Sequence, residues 1–282
     1  MIPFEFEFYT PETMEEAVEL YRTAKLKGLT PMYYSGGTEF ISRARRNEIE
    51  VDIVINLKEI KECQMLSLED EIFTVGSAVT LSDVIESDIF PLLSDVARSI
   101  ATHVARNKIT IGGGMMSHLP YKEALLPFLL ANSDVVIAGE NGLRQTNIHD
   151  IYKEGINIYE EEWVVQIITN KKVIEASFNH EKRTRQSRIN YPLVTATSLF
   201  VDNEIRIALT GMFDHPIRSE KIENIASDTS KDKSIRVASM VEQVEQLPNQ
   251  ITDSRDGSAA YRKFVLEGMF HNILSRNEEL SK

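Results

Sequence analysis

The order of apolar and polar positions predicts a chain in which helices and strands alternate from the start. A first helix is expected from Thr10-Pro11-Glu12, where a capping hydroxyl precedes proline and an acidic residue, to a stop at Gly28. A strand over 31–35, a helix over 39–46 and a buried strand over 51–57 follow. This part of the chain therefore predicts a βαβ-like unit with a Gly-Gly turn before its second helix.

The middle of the chain predicts short paired strands and capped helices. Glu69-Asp70 separates two strand-like runs and predicts a hairpin, and Thr80-Leu81-Ser82-Asp83 resembles a capping box that opens a helix. Cys63 lies just before this hairpin in a strand-like context. The other elements expected here are a helix from Pro91, a helix over 121–131, a strand over 135–138 that ends at the turn Asn141-Gly142, and strands over 163–169 and 173–178.

The last third of the chain predicts strands followed by helices. Strand-like runs over 192–201 and 204–212 flank Asp202-Asn203, which is a strong hairpin signal. Three helical stretches follow, the last over 257–276, with a polar loop over 227–232 between the first two. Segregated strands and helices indicate an α+β domain.

Composition and charge narrow the range of functions. Hydrophobic residues make up 42% of the chain, and acidic residues outnumber basic ones so that the net charge is −12. This balance argues against a nucleic-acid partner and against an anionic membrane surface. No run approaches the roughly 18 apolar residues of a membrane span, and the first residues show no secretory signal. We expect a cytoplasmic protein with no nucleic-acid or membrane partner.

Cysteine and histidine usage makes a metal centre on this chain unexpected. Cys63 is the only cysteine, whereas an iron–sulfur cluster usually needs about four cysteinates. The 6 histidines are scattered and none has the i, i+4 spacing of a zinc-binding helix. We therefore predict no metal site here, and any cluster must belong to another chain.

Two glycine clusters are the candidate ligand-binding sites. Backbone N–H groups approach a phosphate closely only where no Cβ intervenes, and Ser35-Gly36-Gly37-Thr38 and Thr110 to Gly114 both offer such positions. Each follows a strand-like run, and only the first is expected to lead straight into a helix. Neither matches a Rossmann or P-loop pattern. Neutral amides would let an acidic protein hold a pyrophosphate without a basic patch.

The sequence around these clusters resembles one family in order along the chain. Tyr33-Tyr34-Ser35-Gly36-Gly37-Thr38-Glu39-Phe40 resembles AGGTDLL, the first flavin motif of the FAD-binding medium subunits of molybdenum hydroxylases of the xanthine dehydrogenase and carbon monoxide dehydrogenase type. Thr110-Ile111-Gly112-Gly113-Gly114, with Pro120 and Glu123 downstream, is similar to their TIGGN motif. Asp256 to Lys263 looks like their C-terminal GSAxYR helix.

The resemblance implies an α+β fold with a two-subdomain FAD-binding region of the PCMH or vanillyl-alcohol-oxidase type. The FAD-binding domain would span 1–178, with subdomains of about 1–58 and 59–178, and a small α+β domain would span 179–282. The amides of both glycine clusters would bind the pyrophosphate of FAD. Glu123 would hold the ADP half, and Trp163 and Lys182 would lie near the adenine or flavin.

The same resemblance implies an oxidoreductase that works in a complex. A molybdenum-cofactor large subunit and a 2Fe–2S small subunit would be its partners, in a heterotrimer. Electrons would pass from the clusters through FAD to NAD or another acceptor, and because the flavin does the redox chemistry we expect no catalytic side chain on this chain.

Two other functions stay open at this stage. One is a stand-alone flavoprotein oxidase, which usually carries a larger cap domain. The other is a scaffold subunit with a decayed flavin site, which would account for Gly114 in place of the motif asparagine and for Glu39 and Glu123 in place of aspartates.

Overall fold

The structure is a computed structural model that describes residues 1–185 and 190–280. Its helices are α1 (Met14–Leu26), α2 (Thr38–Arg45), α3 (Leu81–Ser87), α4 (Pro91–Ser99), α5 (His103–Arg106), α6 (Ile111–Met116), α7 (Leu126–Ala131), α8 (Ile148–Ile151), α9 (Lys171–Ile174), α10 (Glu220–Ser227), α11 (Lys233–Glu245) and α12 (Ala259–Leu280). Short 3-10 turns occupy Leu57–Glu59, Lys61–Gln64 and Glu123–Leu125.

Within residues 1–185 and 190–280 the strands form three sheets. They are β1 (Glu7–Tyr9), β2 (Pro31–Tyr34), β3 (Ile53–Asn56), β4 (Leu66–Glu69), β5 (Ile72–Gly76), β6 (Asp134–Gly139), β7 (Gly142–Asn147), β8 (Trp163–Asn170), β9 (Ser177–Thr184), β10 (Pro192–Val201), β11 (Glu204–Thr210) and β12 (Ile217–Arg218). The strand orders are β1-β3-β2, β4-β5-β8-β6-β7 and β12-β11-β10-β9. This mixture of helices and sheets confirms the expected α+β class.

The N-terminal sheet is parallel because helices connect its strands. α1 links β1 to β2 and α2 links β2 to β3, and both outer strands pair with β3 in parallel. Ala17, Tyr21 and Ala24 of α1 are buried in a cluster with Ile55 on one face. Phe40 of α2 is buried on the other face with Val54. The predicted βαβ-like unit is confirmed, with β1 added as a third strand.

The five-stranded sheet is antiparallel, and two local hairpins, β4-β5 and β6-β7, pair with the central strand β8. β4 and β5 turn at Asp70 and Glu71, whose φ angles of 47° and 66° are left-handed. β6 and β7 are joined by Glu140 and Asn141, and Gly142, the first residue of β7, has φ 89°. A left-handed backbone at these positions matches the twist that a tight hairpin needs. Both predicted hairpins are confirmed, but each turn is displaced by one residue, to Asp70-Glu71 from Glu69-Asp70 and to Glu140-Asn141 from Asn141-Gly142.

The C-terminal sheet carries the last three helices on one face. β10 and β11 turn at Asp202 and Asn203, as predicted, with φ angles of 53° and 64°. Arg262 of α12 is fully buried, and its guanidinium donates to the carbonyl oxygens of Leu193 and Gly211. These bonds satisfy a buried cation with backbone acceptors and fasten α12 to the sheet.

Packing divides the chain into two compact units. The first unit consists of residues 1–89, 103–117 and 132–171, and the second unit consists of residues 90–102, 118–131 and 172–282. This division differs from the predicted domains because two earlier segments pack with the C-terminal residues. The domain boundary between residues 178 and 179 stays a prediction.

Several predicted elements are displaced or wrong. Thr13, not Thr10, caps α1, and its hydroxyl accepts from the amide of Glu16 at 3.2 Å. Residues 171–174 form a helical turn rather than the start of a strand, because the chain leaves one sheet at Asn170 before it enters another at Ser177. Cys63 is in a 3-10 turn and fully buried, and burial raises the pKa of its thiol.

Among the residues that the structure describes, no helix combines the length and the apolarity that a bilayer crossing requires.

Candidate functional site

The first glycine cluster is a tight turn between β2 and α2. Gly37 is the residue before the helix and has φ 71°, a left-handed conformation that glycine adopts without strain. Because Gly37 has no side chain, it cannot cap the amides at the start of α2, which have no partner within the helix. The Ser35 hydroxyl oxygen is buried and has no hydrogen-bond partner within the described part of the chain.

The fold places this turn against the segment that leads into the second glycine cluster. A Cβ on Gly36 would lie 2.0 Å from the carbonyl oxygen of Lys108 and 3.3 Å from the amide nitrogen of Thr110. No other residue type fits in that space. The two clusters, which are distant in sequence, are therefore neighbours in the first unit.

The second cluster is part of a helix, which corrects the expectation that only the first leads into one. Thr110 is the N-cap of α6, and its hydroxyl accepts from Gly113 N at 3.3 Å. The amides of Ile111 and Gly112 donate to the carbonyls of Val79 and Ser77 at 3.0 and 2.9 Å. An isolated bridge from Thr110 to Thr80, rather than a strand, precedes the helix.

The glycines of this second cluster differ in the space around them. A Cβ on Gly112 would lie 2.5 Å from the Ser77 Cβ, and one on Gly113 would lie 2.9 Å from the Thr110 hydroxyl. A Cβ on Gly114 would meet nothing within 4 Å. The Gly114 amide already donates to Thr110 O at 2.9 Å. A ligand could therefore approach this segment at the open surface of Gly114. Most of the backbone amides here are already bonded within the protein.

Aromatic side chains support the first turn. The Tyr34 hydroxyl lies 2.2 Å from the place where a Gly37 Cβ would be, so the ring covers that glycine. Tyr33 stacks on Tyr21 at 4.8 Å and contacts Trp163 at 4.5 Å between ring centroids. Burial raises the pKa of both Tyr33 and Tyr34, and the Tyr33 hydroxyl donates to the carbonyl oxygen of Glu161 at 3.2 Å.

The other residues predicted around the first turn lie in different environments. Thr38 is exposed at the start of α2, and Glu39 forms an ion pair with Arg43 at 3.5 Å. Phe40 is buried in the hydrophobic core. Trp163 is only 3% exposed in the core of the first unit, so its contact with the turn passes through Tyr33.

The predicted residues Glu123 and Lys182 form a buried ion pair in the second unit. Lys182 Nζ lies 2.9 Å from a Glu123 carboxylate oxygen, and each side chain is 6% exposed. Thr195 donates to the other oxygen at 3.2 Å, and Lys182 also donates to the carbonyl of Ser99 at 2.9 Å. Burial raises the pKa of the Glu123 carboxyl, and the Lys182 charge opposes that rise.

The sequence did not indicate Ser99, Thr195 or His180 as neighbours of this pair. Thr195 lies within the apolar run of β10, where a hydroxyl gives no distinguishing signal. His180 contacts the hydroxyls of Thr197 and Ser99 at 3.1 and 3.3 Å, and burial lowers its pKa to about 4. The ring is neutral at physiological pH.

The residues at the first turn fit a phosphate-bearing cofactor. A buried hydroxyl without a partner is costly unless a ligand or water satisfies it, and Ser35 is in that state. The start of α2 adds uncapped amides and the positive end of a helix dipole. The turn can therefore accept an anionic oxygen without any basic side chain.

The glycine clusters and the α+β fold agree with a family of flavin-binding proteins. The chain belongs to the family described as the FAD binding domain in molybdopterin dehydrogenase, whose model matches residues 4–169. The predicted family, and FAD as its cofactor, are thereby confirmed, and an oxidoreductase flavoprotein is confirmed at the level of the family.

Individual relatives agree with this assignment. The chain is 26% identical over 153 residues to the nicotinate dehydrogenase FAD-subunit of Eubacterium barkeri, and the match covers 52% of this chain and 51% of that protein. It is also 26% identical over 231 residues to the carbon monoxide dehydrogenase medium chain of Hydrogenophaga pseudoflava, which covers 78% and 79%. The chain thus spans about half of the first relative and most of the second.

A solved structure shows the same fold. A chain of carbon monoxide dehydrogenase from Hydrogenophaga pseudoflava, in a form that lacks the Mo-pyranopterin moiety of the molybdenum cofactor, superposes with a TM-score of 0.86 at 21% identity. The superposition covers 98% of both chains. The likeness therefore extends beyond the matched residues 4–169 to the C-terminal sheet and helices.

Proposed function

We propose that this chain is the flavin subunit of a molybdenum hydroxylase, which takes electrons from iron–sulfur clusters on a partner and passes them through FAD to NAD or another acceptor. The FAD-binding region would be of the PCMH type. The observation that carries the proposal is the first glycine turn, where the orphaned Ser35 hydroxyl and uncapped α2 amides lie beside the backbone of Lys108 and Thr110.

The chain's own residues would bind and orient the cofactor. The Ser35 hydroxyl and the amides of α2 would donate to pyrophosphate oxygens, and Tyr34 would add a protonated hydroxyl beside Gly37. Gly114 would let the second segment approach the ligand, because it has open space where a Cβ would be. Bound FAD supplies the electron-transfer chemistry, and the protein supplies position and electrostatics.

The proposed partners would carry the iron–sulfur clusters and the molybdenum cofactor. Cys63 is the only cysteine and is fully buried, so iron–sulfur clusters would lie on a small subunit and the molybdenum cofactor on a large subunit. The relatives support this arrangement, since one is named as a FAD-subunit and another as a medium chain. Purification of the tagged chain from its native host under gentle conditions should recover both partners.

Ligand choice tests the proposal directly. The purified chain should bind FAD non-covalently and more tightly than FMN, because FMN lacks the pyrophosphate for which the turn is suited. Calorimetric titration with FAD, FMN and ADP would measure this order, and visible absorbance would show whether flavin co-purifies. Equal or tighter binding of FMN would contradict the assignment of the first turn to a pyrophosphate.

One set of contacts favours the scaffold with a decayed flavin site as a second candidate. Most amides of the second cluster are used within the protein, and Glu123 is paired with Lys182 rather than open to a ligand. A scaffold would assemble with the partner subunits but bind no FAD. A complex that contains this chain and lacks flavin, and that does not take up added FAD, would favour the scaffold.

A further inference from the structure

A large aromatic ring is exposed close to the first glycine turn. Phe8 of the edge strand β1 is 52% exposed, although phenylalanine is among the side chains most often buried. Its ring meets Tyr34 edge to face, with 5.7 Å between the centroids and 77° between the planes. The two rings form one aromatic surface, which we name the Phe8–Tyr34 surface.

Tyr34 connects this surface to the glycine turn. The Tyr34 hydroxyl lies 2.2 Å from the place where a Gly37 Cβ would be, and the Tyr34 ring meets Phe40 edge to face, with 6.0 Å between the centroids. Tyr34 is therefore held between the core and the turn, while Phe8 is held by Tyr34 and leaves half of its area uncovered. Contact thus runs without a break from Phe8 through Tyr34 to Gly37.

The position in the sheet is also that of a ligand site. β1 and β2 are parallel, and Phe8 and Tyr34 lie at or next to their carboxyl ends. Ligands of sheets with parallel strands bind outside the carboxyl ends, where the strands lead into loops and helix starts. The Ser35 hydroxyl and the uncapped start of α2 lie at the same end, one residue and four residues after Tyr34.

We propose that Phe8 is a cofactor contact, and that a planar ring of FAD packs on the Phe8–Tyr34 surface next to the turn that holds the pyrophosphate. This inference rests on the proposed function. A dinucleotide has an aromatic ring at each end of its pyrophosphate, so a protein that holds the phosphates at Ser35 needs an apolar surface within reach. Offset or edge-to-face contact between aromatic rings is favourable beyond the area that it buries.

The test is the affinity for FAD of variants that remove or keep the ring. Phe8→Leu should raise the Kd for FAD about two- to tenfold, as expected for the loss of one aromatic contact, and Phe8→Tyr should bind like the unchanged protein. The control is Phe264→Leu, which removes a ring that is 68% exposed on α12 in the second unit. Melting temperatures without FAD should agree among all four proteins.

Titration with ADP tells which ring is involved. A similar loss for ADP and FAD assigns the adenine to the Phe8–Tyr34 surface, and a loss for FAD alone assigns the isoalloxazine; either result supports the inference. Unchanged FAD affinity in a folded Phe8→Leu protein overturns the inference. If that protein also fails to co-purify with the partner subunits, Phe8 is a contact to another protein instead. If Phe8→Leu does not fold, Phe8→Met against Phe8→Tyr decides in the same way.

The two levels of failure are distinguishable. If the unchanged protein binds no FAD, the proposed function itself fails. If the unchanged protein binds FAD and the Phe8 variants bind it equally well, only the role of Phe8 is wrong.

Discussion

The two glycine clusters look alike in sequence and behave differently in the structure. The first is a turn with a left-handed Gly37, a helix start that has no side-chain cap, and an orphaned Ser35 hydroxyl. The second is the start of a helix whose amides are already used, through Thr110 and the carbonyls of Val79 and Ser77. A glycine cluster therefore indicates close approach of backbone, and only the hydrogen bonds around it tell whether the neighbour is a ligand or the protein itself.

The largest effect should come from the contact between the clusters. Gly36→Ala places a Cβ 2.0 Å from the Lys108 carbonyl oxygen, and the backbone must move to admit it. We expect a loss of about 3 kcal/mol in the free energy of unfolding, at the upper end of overpacking effects, and loss of FAD binding. Urea denaturation of this variant and of Gly155→Ala, which has open space at its Cβ, would measure it. Equal stability of the two would show that the clusters do not touch.

The next largest effect concerns the N-cap of the second cluster, and it tests whether this cluster differs from the first in its role toward FAD. Thr110→Ala removes the N-cap of α6 and should cost about 1 kcal/mol of stability, whereas Thr110→Ser keeps the hydroxyl and should cost much less. If the second cluster makes no contact with FAD and only stabilises the fold around the site, the FAD affinity of the folded protein should change little. A large loss of affinity in Thr110→Ala without loss of stability would move the phosphate site to this cluster.

Ser35→Ala should give the opposite pattern. Removal of a buried hydroxyl without a partner should leave the stability of the FAD-free protein unchanged or slightly higher. It should weaken FAD binding about three- to tenfold, through the loss of one hydrogen bond to the ligand. Ser133→Ala is the matched control, because that buried hydroxyl is bonded to Thr169 at 2.8 Å and its loss should lower stability alone. Unchanged FAD affinity in Ser35→Ala would remove Ser35 from the site.

The smallest effect concerns the open surface of the second cluster. Gly114→Ala and Gly268→Ala both add a methyl group to a helix where nothing lies within 4 Å, and each should raise stability by up to about 1 kcal/mol through helix propensity. If FAD approaches Gly114, only that variant should bind it a few-fold more weakly. Parallel titrations and thermal melts of the two proteins would compare them. Matching affinities would place the ligand away from α6.

Valine substitutions at these glycines would be a poor probe of the ligand. A branched side chain at Gly37 would require a strained left-handed backbone and would collide with Tyr34, and one at Gly113 would collide with Thr110. Both would disturb the fold before they reported on FAD. Ser35 and Gly114 are the positions where ligand and fold can be separated.

The sequence predicted local structure well wherever a few adjacent residues decide it. The hairpin at Asp202-Asn203 and the capping box at Thr80 and Asp83 are confirmed, because each depends on left-handed propensity or on bonds within one turn. The start of α1 was misplaced because two threonines three residues apart both suit an N-cap, and the helix is capped by Thr13.

The candidate site was predictable as a set of glycines but not as a set of contacts. Nothing in the pattern tells that Gly36 meets Lys108, or that Glu123 is paired with Lys182, since such pairs depend on how distant segments pack. The roles of both glycine clusters, Glu123, Trp163 and Lys182 toward FAD stay predictions. The family itself was predictable because its motifs recur in order along the whole chain.

The division into two compact units has a consequence for the order in which the chain can fold. The chain passes from one unit to the other at residues 89/90, 102/103, 117/118, 131/132 and 171/172. The contacts of Ser99 and Glu123 with Lys182 therefore cannot form until Lys182 has been synthesised. Lys182 is 83 residues after Ser99 and 59 residues after Glu123. Contacts so distant in sequence form slowly, because a long loop must close before they stabilise anything. During synthesis, segments 90–102 and 118–131 would lack their packing partners until residues 172–282 emerge from the ribosome.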